Sequence, residues 1–143
     1  MTGILRKCAA CGATNRVPAD HLTDEGRCGK CKQALPPLGE PVAADSDVFE
    51  AIVREAKAPV LVDFWASWCG PCRAAAPEVD AVAREMAGRA IVVKVDTEAH
   101  PEIAGRYGVQ GIPNFVVLRG GRVVMQKAGV TSRTEMRRWL EAA

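Results

Sequence analysis

The sequence predicts an α/β protein with a mixed central sheet, helices on both faces, and a small cysteine-rich module in front of it. Three observations support this fold class. Apolar residues are sparse up to residue 34, a proline-rich stretch follows, and from residue 42 onward helical and strand patterns alternate before ending in a hairpin and a last helix. Alternation of this kind places helices on both faces of a largely parallel sheet, and the hairpin adds antiparallel strands.

The first 34 residues show no strand or helical period of useful length. A segment this short buries too little apolar surface to fold alone, and below about 40 residues a staple such as a bound metal is usually needed. The prolines from Leu35 to Pro41 favour an extended, fairly stiff linker. We therefore predict a module at 1–34, a linker at 35–41 and a larger domain at 42–143.

The larger domain begins with a possible short strand at 41–44 and a helix capped by Asp45 or Ser46. The nearly continuous apolar run at 60–65 predicts a strand buried on both faces. The remaining pattern predicts, in order, a helix from about Gly70, a strand at 91–95, a short helix at 102–107, a strand at 114–118, a Gly120-Gly121 turn, a strand at 123–125 and a final helix.

Composition excludes several classes of function. The net charge of +2 indicates neither a nucleic-acid partner nor a membrane partner. No secretory signal is visible and no apolar run approaches the roughly 18 residues that a transmembrane helix requires. We therefore expect a soluble cytoplasmic protein, and a monomer, since the pattern contains no coiled coil and no long exposed apolar helix.

All six cysteines occur in C-x-x-C pairs, and the first two pairs have metal-site spacing. Sixteen residues separate Cys8/Cys11 from Cys28/Cys31, as in zinc ribbons. Four thiolates suit tetrahedral Zn²⁺ with no open position, hence one structural ion, and Gly12 and Gly29 allow tight turns around it. A rubredoxin-like iron centre, two further redox disulfides, or His21 replacing one cysteine are the alternatives. Residues 1–34 contain no aromatic side chain, which argues against base stacking.

The third pair, Cys69 and Cys72, follows a predicted buried strand and opens a helix. Unpaired N–H groups and the positive end of the helix dipole favour a thiolate there. Cys69 is therefore the expected exposed nucleophile, and Cys72, about one turn further, the shielded resolving thiol. Attack on a substrate disulfide by Cys69, followed by attack of Cys72 on the mixed disulfide, reduces the substrate. The alternative is a third zinc knuckle or a plain buried pair.

These residues carry a family resemblance. Residues 42–143 resemble thioredoxin, through the run Val62-Asp63-Phe64-Trp65-Ala66-Ser67-Trp68-Cys69-Gly70-Pro71-Cys72, then Pro77, Gly111-Ile112-Pro113 and Gly129. The whole chain resembles the two-domain, zinc-binding thioredoxins (the thioredoxin-C type) of bacteria. The resemblance implies the thioredoxin fold and a redox-active disulfide, and it also implies zinc on the N-terminal cysteines.

The resemblance also implies roles for individual residues. Asp63 corresponds to a buried acid that helps to deprotonate Cys72; an Asp satisfied by neighbouring backbone is the alternative for this position. Pro113 corresponds to a cis-proline opposite the cysteines, and the Ile112 backbone would pair with an extended substrate segment. The expected substrate groove comprises Trp68, Gly70, Pro71, Ile112 and Gly129, whereas Trp65 and Pro77 resemble structural positions.

Two positions depart from the family pattern. Many thioredoxins have a lysine four residues before the acid that ends the third strand. In this chain that position is Val92, and Lys94 lies two residues further on the same face. Asn114 follows the expected cis-proline where threonine is more usual, and we expect it to adjust groove contacts.

Together these features predict a protein-disulfide reductase. The Gly-Pro dipeptide between the cysteines resembles that of the reducing members of the superfamily. It implies a reduction potential of about −270 mV, as in thioredoxin. The resemblance implies disulfide-containing substrate proteins and a flavin- and NADPH-dependent thioredoxin reductase as electron donor, with no organic cofactor bound to this chain. The alternatives are a redox-regulated, zinc-dependent holdase or adaptor module, and an oxidant or isomerase.

Overall fold

A computed structural model describes residues 3–143 of the chain, so the first two residues of the predicted module lie outside the described part. The N-terminal module contains two small antiparallel hairpins. Strand β1 (Gly3–Lys7) pairs with β2 (Thr14–Pro18), and after a 3-10 turn at Ala19–His21, β3 (Gly26–Arg27) pairs with β4 (Ala34–Leu35). Each hairpin holds one C-x-x-C pair in its loop.

The sequence pattern did not reveal the strands of this module. Buried and exposed residues alternate only weakly along β1 and β2. Each strand has five residues, which is too short for a period to be recognised in the sequence. The hairpins bring the two cysteine loops side by side, which the spacing alone suggested.

The larger domain follows the predicted order of elements. Its strands and helices are β5 (Val42–Ala43), α1 (Ser46–Glu55), β6 (Val60–Trp65), α2 (Gly70–Glu85), β7 (Ile91–Asp96), α3 (Pro101–Arg106), β8 (Asn114–Arg119), β9 (Arg122–Ala128) and α4 (Arg133–Ala142). The short third helix begins and ends one residue earlier than predicted, because Pro101 lacks the N–H that the first turn leaves unpaired anyway.

The five strands of this domain form one mixed sheet in the order β5-β7-β6-β8-β9. Strands β5, β7 and β6 are parallel, while β8 and β9 run antiparallel to their neighbours. The first five residues of β6 are buried, as its continuous apolar run predicted. This mixed sheet with flanking helices is the thioredoxin fold, which confirms the predicted fold class.

Apolar side chains fill both faces of the sheet. On one face, α1 and α3 pack over Val62, Phe64 and Val116; on the other, α2 and α4 pack over Leu61 and Phe115. Successive residues of β6 thus face opposite layers, as a strand requires.

The N-terminal module contributes to the first of these two core clusters. Buried Ile4, Ala19 and Leu22 join Phe49 and Ile52 of α1 in it. Leu38, within the predicted linker, is also buried there, and its backbone N–H donates to Leu22 O at 2.9 Å. This stretch is therefore packed against the core, and we retain the division at 1–34, 35–41 and 42–143 as a proposal. Among residues 3–143, none of the helices combines the length and apolar character needed to cross a bilayer.

Candidate active site and metal centre

Cys69 and Cys72 lie where the chain passes from β6 to α2, and their sulfurs form a disulfide bond. The chain leaves β6 after Trp65, and α2 begins at Gly70 with Cys69 as its N-cap. Pro71 is tolerated in the first turn because the N–H that it lacks would have no helical partner. The Cα atoms of the two cysteines are 5.3 Å apart, which is within the range for a disulfide.

The start of α2 provides a favourable place for negative charge on Cys69. The backbone N–H of Cys72 donates to Cys69 Sγ at 3.1 Å. This hydrogen bond and the positive end of the helix dipole both stabilise a thiolate more than a thiol. Negative charge on the first cysteine of the pair is therefore stabilised by the helix start.

The expectation that Cys69 is exposed was wrong for the oxidised state. Cys69 is only 3% exposed and Cys72 5%. The disulfide ties the two sulfurs together, and Trp65 and Ile112 pack against them. The Ile112 carbonyl oxygen lies 3.8 Å from Cys69 Sγ. Gly70 and Pro71, in contrast, are exposed beside the pair.

The segment opposite the disulfide carries a cis peptide bond between Ile112 and Pro113, the geometry that the resemblance implies. Pro113 is buried. Gly129 donates its backbone N–H to Pro113 O at 2.8 Å and has a φ of +101°, a conformation that favours glycine. Gly129 is thus bonded to the proline, and Ile112, the residue before the proline, packs against the cysteines.

Trp68 projects from the loop before Cys69 and is 64% exposed. Its Nε1–H donates to Glu98 Oε1 at 2.6 Å, which fixes the orientation of the ring. The sequence analysis did not identify Glu98. The available signal was its position just after β7, because parallel β6 and β7 end at the same edge of the sheet.

Asp63 is 2% exposed and lies in the middle of β6. It lies two residues after Leu61 on the same face of β6, and Leu61 packs against α2, so the Asp63 carboxyl group faces the layer that holds Cys72. Its Oδ1 has no hydrogen-bond partner within residues 3–143, so neighbouring backbone does not satisfy this oxygen. Burial raises the pKa of Asp63 to about 7, with Lys94 lowering it and Asp80 raising it.

Lys94 is the residue of β7 paired in register with Asp63. Its ammonium lies 5.0 Å from the centroid of the Trp65 ring and lowers the Asp63 pKa. Val92, where the resemblance led us to look for a lysine, packs in the core with α2 and α4. The predicted departure from the family pattern therefore stands at Val92, and Lys94, two residues further along β7, is the residue paired with Asp63 in this chain.

The four N-terminal cysteines form one cluster. Their sulfurs all lie within 4.8 Å of one another, and two of the distances, Cys8 to Cys31 and Cys11 to Cys28, are 3.7 Å. A tetrahedron with Zn–S bonds of about 2.3 Å has sulfurs about 3.8 Å apart. The donor set and its geometry therefore fit a tetrahedral ion, and these four cysteines could bind zinc.

Polar groups around the cluster stabilise negative charge on sulfur. Backbone N–H groups of Cys31 and Lys30 and the amide of Asn15 lower the pKa of Cys28 to about 5, with the Cys31 N–H the largest cause. Asn15 Nδ2 lies 3.5 Å from Cys28 Sγ, and its Oδ1 accepts from Gly29 N at 2.9 Å. The sequence analysis did not identify Asn15, because its role depends on hairpin pairing.

The two cysteine loops have matching turns. Gly12, after the first pair, has a φ of +76°, as predicted, but the corresponding residue of the second pair is Lys32 with a φ of +66°. Gly29 lies in the turn that directs the Lys30 N–H at Cys28 Sγ, 3.4 Å away, but the left-handed residue of this loop is Lys32. His21 is exposed and its Nδ1 lies 2.8 Å from Asp24 Oδ2, away from the sulfur cluster.

A disulfide at the start of a helix, next to a cis-proline in a sheet-and-helix fold of this topology, defines a thiol–disulfide oxidoreductase. A sequence model of the family Thioredoxin matches residues 40–142, and one described as Thioredoxin 2, N-terminal, a zinc ribbon, matches residues 7–33. The chain belongs to the thioredoxin family.

Individual relatives agree with this assignment. Thioredoxin C-3 of Corynebacterium nephridii is 38% identical over 94% of this chain and 91% of its own length. Thioredoxin 1 of a Nostoc species is 43% identical over 65% of this chain and 87% of its own length. Among solved structures, a mutant thioredoxin from Halobacterium salinarum has a TM-score of 0.66 at 28% identity, covering 73% of this chain and 90% of that one.

Proposed function

We propose that this chain is a protein-disulfide reductase that exchanges the Cys69/Cys72 dithiol with disulfides of substrate proteins. The observation that carries the proposal is the Cys69–Cys72 pair at the N-terminus of α2, facing the Ile112 carbonyl. Cys69 thiolate attacks one substrate sulfur and the other leaves as a thiol. Cys72 then attacks Cys69 Sγ, so the substrate leaves as a dithiol and the enzyme keeps the disulfide. Two electrons and two protons pass to the substrate.

Asp63 is the proposed base for the second step. Cys72 must lose its proton before it can attack Cys69, and a buried carboxylate with a pKa of about 7 can accept one near neutral pH. Its place on the α2 face of β6 supports transfer to or from Cys72, directly or through one water.

The proposed substrate groove surrounds the pair. Exposed Trp68, Gly70 and Pro71 form one side, and Ile112, Pro113 and Gly129 the other. An extended substrate segment would pair with the Ile112 backbone, so that its disulfide meets Cys69 Sγ. Backbone pairing of this kind gives affinity that depends little on the substrate sequence.

The proposed direction is reduction in the cytoplasm. The Gly-Pro dipeptide supports a reduction potential of about −270 mV, as in thioredoxin. The electrons would come from a flavin- and NADPH-dependent thioredoxin reductase. In the N-terminal module, Cys8, Cys11, Cys28 and Cys31 would hold one structural Zn²⁺, which would supply the staple that a module this small needs.

A regulatory function is the second candidate. Ile4, Ala19 and Leu22 cover apolar residues of α1, so oxidation of the zinc thiolates could uncover that face and turn the chain into a holdase or adaptor. Loss of function in Cys69→Ser with no effect of zinc removal favours the reductase, and the reverse pattern favours the second candidate.

The decisive experiment compares Cys69→Ser and Cys72→Ser. We expect Cys69→Ser to abolish reduction of a protein disulfide, and Cys72→Ser to accumulate the mixed disulfide through Cys69, detected by mass spectrometry. The reduction potential is then measured against a defined thiol couple. A value near −180 to −120 mV, as in disulfide isomerases and oxidants, would overturn the proposed direction.

A further inference from the structure

Gln126 connects the outer strand β9 to the segment that carries the cis-proline. Its Nε2 donates to Tyr107 O at 2.9 Å and to Asn114 Oδ1 at 3.1 Å. A backbone carbonyl can only accept, so the nitrogen of the Gln126 amide must face Tyr107. One amide therefore makes two hydrogen bonds to two different parts of the chain.

These two partners are the ends of one segment. Tyr107 is the C-cap of α3, and Asn114 is the first residue of β8, directly after Pro113. The segment between them contains Gly108 and Gly111, whose backbones are freer than those of other residues. It also contains Ile112, whose carbonyl oxygen lies 3.8 Å from Cys69 Sγ. The Gln126 amide thus fixes both ends of a glycine-containing segment next to the reactive sulfur.

We propose that Gln126 and Asn114 are positioning residues that hold the Ile112 backbone where it can pair with an extended substrate segment. This inference rests on the proposed function, in which that pairing binds protein disulfides. Asn114 is 6% exposed, so its amide is held inside the protein directly after the cis-proline. Neither side chain bonds to Cys69 or Cys72 Sγ in the described part of the chain, and both act through the position of Ile112.

A class of substrate follows from this placement. A protein disulfide in an extended segment uses the Ile112 backbone as well as Cys69, whereas a small aromatic disulfide needs only access to the sulfur. Loosening the 107–114 segment should therefore weaken binding of protein disulfides more than it slows exchange with small ones.

The test is Gln126→Met, which keeps the length of the side chain and removes its donor. Gln126 is exposed, so the fold should tolerate the change. We expect KM for a protein disulfide to rise about three- to tenfold, as for the loss of one or two hydrogen bonds, with kcat changed less than about twofold. The control is Val124→Ala, on the same strand and half exposed, which should leave KM unchanged.

A second readout is amide hydrogen exchange at Gly111 and Ile112, which should become faster in Gln126→Met and in Asn114→Ala. The effects of the two substitutions should be less than additive in the double variant, because both remove the bond between Gln126 and Asn114. The proposal fails if neither KM nor exchange changes, or if rates with protein and small disulfides fall equally. An inactive wild-type chain would refute the proposed function, while the exchange data would still test the positioning role.

Discussion

Asp63 places a carboxyl group where the surrounding side chains favour an apolar one. It is almost completely buried, one of its oxygens has no partner in the described part of the chain, and Lys94 compensates only in part. An ionised carboxylate in such a place costs stability, and burial therefore raises its pKa to about 7. A residue retained at such a cost is expected to have a role in the chemistry.

The first prediction follows from this raised pKa. The folded state keeps the Asp63 proton up to about pH 7, whereas the unfolded chain releases it near pH 4, so stability falls as the pH rises between these values. Asp63→Asn removes the titrating carboxyl group and therefore this loss of stability at higher pH. Its stabilising effect should grow by roughly 2 to 3 kcal/mol between pH 5 and pH 8, measured by urea unfolding.

Two further measurements make this prediction specific. Glu55→Gln, at the exposed end of α1, should show no such growth with pH. In the same Asp63→Asn protein, the resolution of the mixed disulfide should be slower at neutral pH, because the substitution removes the proposed base of Cys72. A rate that is unchanged across neutral pH would remove Asp63 from the mechanism.

At the scale of elements, a helix start can be predicted from a short local sequence pattern. The sequence offered Asp45 or Ser46 as the cap of α1, and the structure selects Asp45, whose Oδ1 accepts from Val48 N at 2.9 Å. Ser132 caps α4 in the same way, accepting from Glu135 N at 3.2 Å. Each bond satisfies one of the N–H groups that a helix start leaves unpaired.

The second prediction tests the cap of α1. Asp45→Ala should destabilise the chain by about 1 kcal/mol, because it removes the side-chain acceptor of the Val48 N–H. Asp47→Ala is the matched control, since Asp47 lies in the same first turn as an exposed residue and acts there only through the helix dipole. Urea unfolding of both variants measures the difference, and equal losses would show that the cap bond contributes little.

Buried strands and local motifs could be predicted from the sequence, whereas features that depend on contacts between elements could not. The strands β6, β7 and β8 were readable because both of their faces are buried and their residues form continuous apolar runs. Strands β1 and β2 could not be predicted, because they are stabilised by pairing with each other and by packing on α1. The Cys69/Cys72 pair was found from a local motif, whereas Asn15 and Gln126 act across elements and left no local signal, and Glu98 was indicated only by its position after β7.

At the scale of the whole molecule, the N-terminal module and the larger domain share one core cluster. Leu22 and Phe49 are both fully buried in it, although they belong to the module and to α1, respectively. The second cluster, between the sheet, α2 and α4, contains no residue of the module. Stability of the α1 face should therefore depend on the cysteine cluster, while the α2 face that carries the redox pair should depend on it much less.

The last prediction concerns zinc removal at this scale. If Cys8, Cys11, Cys28 and Cys31 hold a structural ion, a strong chelator should unfold the module, since its remaining apolar contacts are too few to hold it. Exposure of Phe49 and Ile52 should then lower Tm by about 5 °C or more and increase binding of a hydrophobic dye. The experiment uses Cys69→Ser/Cys72→Ser, so that the redox thiols bind no metal, and adding zinc back should reverse both changes. An unchanged Tm with no dye binding would mean that the hairpins hold together without an ion, and the structural role of zinc would have to be abandoned.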